Sequence, residues 1–303
     1  MGVRFGVSPI AWVNDDMPQL GAGTGLDVIL RDAEEIGFSG IELGGIFPRE
    51  AAGLRPLLAA HHLELAGGWF GGRLLSHGVE AEIARASDHL ALLGALDCKV
   101  FIYAETSNAI HGVRETALSA RPRLTTQTWK VFGDRLTRFA EAIAGRGFRL
   151  GYHQHLGTVV EGPEDLAALV THTGEAVGLT LDTGHATLAG INLIAAIGAH
   201  PGRIAHVHCK DVRSVVFAGV RARDASFLNG VLAGMFTAPG DGDIDWSAVI
   251  GALAAIGYGG WMIVEAEQDP AKADPKTLSA LGLATLRSAA QAAGLAIEPG
   301  GGR

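Results

Sequence analysis

Only two cysteines occur in the 303 residues, Cys98 and Cys209, each inside an apolar run and far apart. A disulfide framework is therefore excluded, and a reducing cytoplasm is the expected setting. No stretch approaches the roughly 18 consecutive apolar residues that a membrane span requires. The opening residues, MGVRFGVSPIAWVNDD, meet charge and proline too early for an export signal, so no membrane partner is expected. Basic residues neither dominate nor cluster. Lys and Arg number 24 against 32 Asp and Glu, for a net charge of −8, and the basic stripe that nucleic acid demands is missing.

What is present suits one large core. A content of 48% hydrophobic residues with 43 glycines supplies apolar area and many tight turns. The 303 residues fit a single (β/α)8 TIM barrel over 1–303, an architecture that typically needs about 250. Short β-branched runs alternate with Ala/Leu/Glu/Arg-rich stretches of helical period. The strand-like runs are 4–8, 39–43, 64–67, 99–103, 149–153, 178–182, 204–208 and 261–265. Helices are predicted over 26–36, 50–61, 79–93, 126–146, 163–171, 192–199, 246–256 and 275–294. The phrases GFSG, GRGFRLG and IGYGGW read as helix ends closed by a left-handed glycine. Two connections, 104–125 and 211–245, are longer than a barrel needs and follow strand C-termini, where they are expected to cover a substrate. The final EPGGGR reads as a tail.

Four polar clusters fall at the ends of the late strands: Tyr152-His153-Gln154-His155, Asp182-Thr183-Gly184-His185, His206-Val207-His208-Cys209-Lys210-Asp211, and Glu265-Ala266-Glu267. Alternation along a strand puts His153 with His155, His206 with His208, and Glu265 with Glu267 on shared faces, and one member of each pair is expected to reach the barrel axis. A lone histidine at a strand end is usually a hydrogen-bonded core residue. Imidazoles and carboxylates converging from four strands instead describe a mixed N/O site for a divalent ion such as Mn2+, Co2+ or Zn2+.

Through LDTGH, HVHCKD and the late glutamate strand, the chain resembles the xylose isomerase-like superfamily of metal-dependent barrels. Through SPIAWVNDDMP, YHQHLGTVVE, LDTGHATLAG, HVHCKDVR, FTAPGDGDID and IVEAEQDPAKADP it resembles, within that superfamily, the inosose dehydratases. The resemblance implies metal ligands at the end of strand five, Asp182, His208 and Glu265. Superfamily members often carry a glutamate where this sequence has His153. Either His153 replaces that carboxylate, or three protein ligands are completed by water and substrate.

The implied reaction removes water from scyllo-inosose (2-keto-myo-inositol) to give a trihydroxycyclohexane-dione, through an enediolate whose charge a metal ion offsets. His155 and His185 are the candidate acids, and Glu267 or Glu265 the candidate base. Asn14, Glu42, Lys210 and Arg213 are expected to bind the hydroxyls, with Trp12, Trp69 and Tyr103 as candidates for an apolar floor. The family's metals are Co2+ or Mn2+, with glutathione at times beside them, although nothing in the sequence marks a glutathione site. The long connection after strand four is a candidate homo-oligomer interface. Rival readings are a keto-sugar or keto-inositol epimerase or isomerase, a barrel endonuclease of the endonuclease IV type, and a catalytically silent binding barrel.

Overall fold

The computed structural model describes residues 2–298; Met1 and residues 299–303, which hold most of the expected tail, lie outside it. Ten strands are described: β1 (Arg4–Val7), β2 (Gly40–Leu43), β3 (Glu64–Gly72), β4 (Val100–Glu105), β5 (Arg149–His153), β6 (Val177–Asp182), β7 (Ile204–Cys209), β8 (Asp211–Val212), β9 (Phe236–Thr237) and β10 (Trp261–Val264). Eight of them close a parallel barrel in the order β1-β10-β7-β6-β5-β4-β3-β2, while β8 and β9 form a separate antiparallel pair. All eight predicted strands are the barrel strands. β3 runs further than expected because its glycines are strand residues here. A Cβ on Gly68 would lie 2.8 Å from His89, and one on Gly72 would overlap the Tyr103 ring, so these close approaches require glycine.

The helices are α1 (Leu26–Ile36), α2 (Ala51–Ala60), α3 (Val79–Arg85), α4 (Ser87–Ala95), α5 (Thr126–Ala144), α6 (Pro163–His172), α7 (Thr183–Leu188), α8 (Leu193–Ala199), α9 (Ser214–Ala222), α10 (Phe227–Leu232), α11 (Trp246–Ala255) and α12 (Pro275–Ala292). Gly37, Gly147 and Gly257, one in each predicted helix-to-strand phrase, all take the left-handed conformation. Asp245 and Asp274 cap α11 and α12 by accepting from Ala248 N and Thr277 N. The single helix expected over 79–93 is two. Glu82, buried in the first half, bonds Arg73 N and Arg85, and that half lies against α5, whereas the second half packs on β3 and β4.

Apolar faces of the surrounding helices and the barrel strands make one large core, with Phe5, Ile29, Leu30, Phe101, Phe132, Phe139 and Leu286 almost wholly buried. The connection 211–245 has a smaller core of its own, built from Phe217, Val220, Phe227, Leu228, Met235 and Phe236 and shared with Met17, Leu156 and Leu188. It is thus a folded cap rather than a bare loop.

Asp211 anchors the cap. Its fully buried carboxylate accepts from Val212 N at 2.8 Å, Ile244 N at 3.0 Å, Gly240 N at 3.0 Å and Trp246 Nε1 at 2.8 Å. An amide cannot accept four such bonds and would turn its own donors on some of these N–H groups. Asp211→Asn is therefore expected to lower unfolding free energy by about 3 kcal/mol, since hydrogen bonds to charged groups contribute roughly 1.5–3 each. Urea denaturation checks this; a midpoint within error of the parent would refute the anchoring role.

Candidate active site

The side chains at the C-terminal rim are held by short local devices. Asp182 ends β6 and caps α7 at once: its Oδ1 accepts from His185 N at 2.7 Å, which leaves Oδ2 turned inward. Thr183 ties β6 to β7, donating to Lys210 O at 2.7 Å and accepting from Lys210 N at 3.0 Å. Gly184 permits that closeness, since a Cβ there would lie 2.8 Å from Lys210 Cγ. The phrase D-T-G-H therefore sets an inward carboxylate, a cross-strand tie, a close approach and a histidine in four consecutive residues.

Within the rim lies a cavity of about 130 Å³ whose walls include Glu42, Trp69, His111, His153, His155, His185, His208, Lys210, Glu265 and Glu267, with Asp15 and Asp16 from the connection after β1. At its floor His153 Nε2 is 3.2 Å from His208 Nδ1. Asp182 Oδ2 lies 3.5 Å from His153 Nε2 and 3.7 Å from His208 Nδ1, and Glu265 Oε2 lies 2.9 Å from His208 Nδ1. Both carboxylate oxygens are buried and neither accepts a hydrogen bond, so short distance does not here mean a satisfied pair. Two imidazole nitrogens and the unbonded Asp182 oxygen converge as a divalent ion requires, with the unbonded Glu265 oxygen beside His208. The ligand atoms of His153, Asp182 and His208 all lie within 4.8 Å of one another, and Glu265 joins them at His208.

His208 is fixed from behind. Its Nε2 donates to Glu42 Oε1 at 3.1 Å, and His206 Nε2 donates to the same oxygen at 2.7 Å. Burial opposes ionisation of Glu42, yet the two imidazoles hold its carboxyl well below the usual range. Glu42 was expected among hydroxyl-binding residues. It borders the cavity, but its Oε1 is engaged by two imidazoles, and His206, the partner of His208 in the alternation, does not line the cavity. His153 differs, because its Nδ1 is buried without a partner. Glu42→Gln is expected to weaken metal binding about 10–100-fold, the effect typical of losing an outer partner of a ligating histidine. Competition against a chromogenic chelator measures it, and an unchanged affinity would refute the orienting role.

Charge is concentrated on one side. Lys210 Nζ, fully buried, donates to Glu267 Oε2 at 2.8 Å and lies 3.1 Å from Glu265 Oε1. Burial disfavours its charge, but Glu265, Glu267 and Asp182 together raise its pKa. Burial would raise Asp182 and Glu265 as well. Lys210 overrides it in both, holding Asp182 well below the ordinary carboxylate range and Glu265 below it. Glu267 behaves differently: burial pushes it up to about 7 despite Lys210, and its Oε1 is buried and unbonded. For His155 and His185 burial comes first, reinforced by neighbouring positive charge, and both imidazoles are held well below their usual range.

The site residues predicted from the sequence divide accordingly. His153, His155, Asp182, His185, His208, Lys210, Glu265 and Glu267 come together, and both members of the first and third strand-end pairs face the cavity rather than one of each. Asn14 and Arg213 do not join them. Asn14 Oδ1 accepts from Asp16 N and Met17 N, closing the turn after β1. Arg213 donates to Gly234 O and Phe236 O and pairs with Asp241, pinning the cap. Of the three aromatics only Trp69 lines the cavity. Trp12 donates to Asp32 from the outer core, and Tyr103 points away from the axis toward Glu105, one residue out of phase with cavity-lining Ile102. Three ionisable lining residues were missed: Asp15, Asp16 and His111. The dipeptide after β1 was the available signal for the acids, whereas His111 sits in an aperiodic connection that offers none.

Residues 30–289 match the xylose isomerase-like TIM barrel family. The chain is 43% identical over 299 residues to the rhizopine catabolism protein MocC of Rhizobium meliloti, covering 98% of this chain and 92% of that one. It is 39% identical over 275 residues to the inosose dehydratase of Geobacillus thermodenitrificans, covering 90% and 92%. Among solved structures, the IOLI protein with a bound zinc atom superposes with a TM-score of 0.64 at 18% identity, over 96% of this chain and 97% of that one.

Proposed function

The chain belongs to the xylose isomerase-like TIM barrel family, in the branch of the inosose dehydratases, and from that premise we propose that it removes water from scyllo-inosose to yield a trihydroxycyclohexane-dione. One observation supports the reading most: at the cavity floor two buried, unbonded carboxylate oxygens, Asp182 Oδ2 and Glu265 Oε2, face His208 Nδ1 and the neighbouring His153 Nε2.

His153, Asp182, His208 and Glu265 would hold a divalent ion, Mn2+, Co2+ or Zn2+, which when bound supplies Lewis acidity to the ketone oxygen. The remaining chemistry falls to the chain. The cavity holds a neutral polyol through Lys210, Asp16 and His111, and Trp69 offers its ring one apolar face. Phe227 and Phe236 of the cap pack on His155 and His185, and proton traffic falls to these two histidines and Glu267, which line the same space. An epimerase must deliver and remove protons on opposite faces of one carbon, commonly with paired carboxylates, whereas an elimination needs one acceptor and one donor.

The test is direct. Purified protein loaded in turn with Mn2+, Co2+ and Zn2+ is given scyllo-inosose, and the conjugated enol of the diketone is followed by absorbance. Appearance of that absorbance with one of the metals is the expected result. Conversion to an isomeric keto-inositol without the absorbance would overturn the reading in favour of epimerisation.

A further inference from the structure

Two histidines above the metal-ligand cluster are oriented by the backbone of a single residue, Leu156. The carbonyl of Leu156 lies 2.7 Å from His155 Nδ1, and the amide of Leu156 donates to His185 Nδ1 at 3.2 Å. A carbonyl only accepts and an amide only donates, so the roles are fixed. His155 must carry its proton on Nδ1, which leaves Nε2 with a lone pair. His185 must present a lone pair at Nδ1, which in the neutral ring puts the proton on Nε2. The rings are tilted 36° with centroids 3.8 Å apart, both are buried, and both line the cavity.

The backbone that does this is itself tied down by hydrogen bonds. His155 N donates to Val160 O, Thr158 N donates to His155 O, and Gly157 turns the chain at φ 79° while donating to Glu161. The Leu156 side chain is buried in the core beneath the cap.

Resting on the dehydratase reading, we propose that the Leu156 backbone makes His155 and His185 an opposed pair, His155 Nε2 the acceptor of the substrate α-proton and His185 Nε2–H a fixed hydrogen-bond donor to substrate oxygen. His155 takes up a proton without breaking any bond it makes, because Nδ1–H stays on Leu156 O. His185 cannot take one up at Nδ1 without setting N–H against N–H. Lys210 Nζ also stands 3.3 Å from His185 Nε2, but the ammonium has Glu267 and Glu265 as acceptors, whereas among the described residues the buried Leu156 amide has only His185 Nδ1. The lone pair therefore stays at Nδ1, and Nε2–H and the ammonium present two donors that an oxygen placed between them would satisfy.

The α C–H proton goes to His155 Nε2, and the C–H electron pair becomes the new C=C bond. The β C–O bond breaks with its pair on oxygen, and that oxygen takes a proton from Glu267, whose Oε1 is buried and unbonded, and leaves as water. The proton on His155 then returns to Glu267. Both histidines stood equal as acids in the sequence; the N–H and C=O of Leu156 make them unlike.

Long-range 1H–15N correlation spectra of the Zn2+-loaded protein, assigned with His155→Gln and His185→Gln, read the two tautomers without reference to activity. The expected result is an Nδ1–H pattern for His155 and an Nε2–H pattern for His185. Identical or reversed tautomers would overturn the inference. Exchange of the scyllo-inosose α-proton in D2O gives the second arm. His155→Gln, which has no basic nitrogen, is expected to lose exchange by at least about 10²-fold. His185→Gln keeps an amide donor and is expected to stay within about tenfold of the parent. The opposite order overturns the assignment. A parent protein that neither exchanges nor dehydrates scyllo-inosose would count against the dehydratase reading, while the spectra would still decide the tautomers.

Discussion

His208→Ala is expected to lose stoichiometric metal and, with it, all measurable dehydration. The substitution removes the one ring that meets every carboxylate of the cluster: Glu42 at 3.1 Å, Glu265 at 2.9 Å and Asp182 at 3.7 Å. Loss of a mere outer partner costs about 10–100-fold in affinity, and loss of this ring must exceed that. Metal analysis after dialysis checks the first claim, and a variant that retains one ion per chain refutes it.

The metal-free state should suffer too. Burial opposes charge on His208, but the surrounding carboxylates raise its pKa well above the ordinary 6.5. Such a group contributes stability that is fully present below pH 6.5 and fades as pH rises through the elevated value. Alanine removes that contribution and leaves carboxylates uncompensated, at a cost of about 3–5 kcal/mol below neutrality. A bound ion must displace the same proton, so metal affinity of the parent protein is expected to climb with pH. An affinity independent of pH between 6 and 8 would contradict the protonated ring.

Lys210→Met carries the second large expectation. One ammonium, 1% exposed, lies between Glu267 at 2.8 Å, Glu265 at 3.1 Å and Asp182 at 3.9 Å. Methionine keeps the volume and removes the charge, so the metal-free protein should lose about 3–5 kcal/mol, the effect of breaking a buried ionic cluster from one side. Glu267 should respond in a defined direction. Burial already raises it from 4.5 to about 7, so the folded state holds a proton that the unfolded chain has released, and stability declines as pH rises from about 4.5 through about 7. Without Lys210, which opposes that rise, the declining segment should extend to higher pH. Thermal melts across pH 4 to 9 for parent and variant measure both effects. Identical profiles would show that the lysine does not act through charge.

The barrel and much of its cluster could be read from the chain because they rest on short-range rules. Parallel strands buried on both faces appear as continuous apolar runs, and strand ends declare themselves when polar residues such as Asp182 and His208 interrupt them. What escaped is set by contacts between distant segments. Helices α7, α9 and α10 are six to nine residues long, and α7 starts without any loop at Asp182, so its first turn read as the end of a strand. Glu42 looked like a substrate ligand because nothing in G-I-E-L reveals that its oxygen meets imidazoles more than 160 residues away. Arg213 stood close to His208 in sequence but is carried outward by β8, where the cap uses it. Tyr103 fell on the wrong side of its strand, an error of one residue in phase, and Trp12 lies beyond the strand at the end of a short helical turn that points it at Asp32.

The bonds from Glu42 to His206 and His208 span the lumen between β2 and β7, strands that are not neighbours in the sheet. They act as a spoke across the wheel, set below the connections that form the roof. Replacement of the segments after β4 or β7 by those of another barrel would leave this spoke in place. Substrate preference can therefore drift through the roof during divergence while the seat of the ion stays constant.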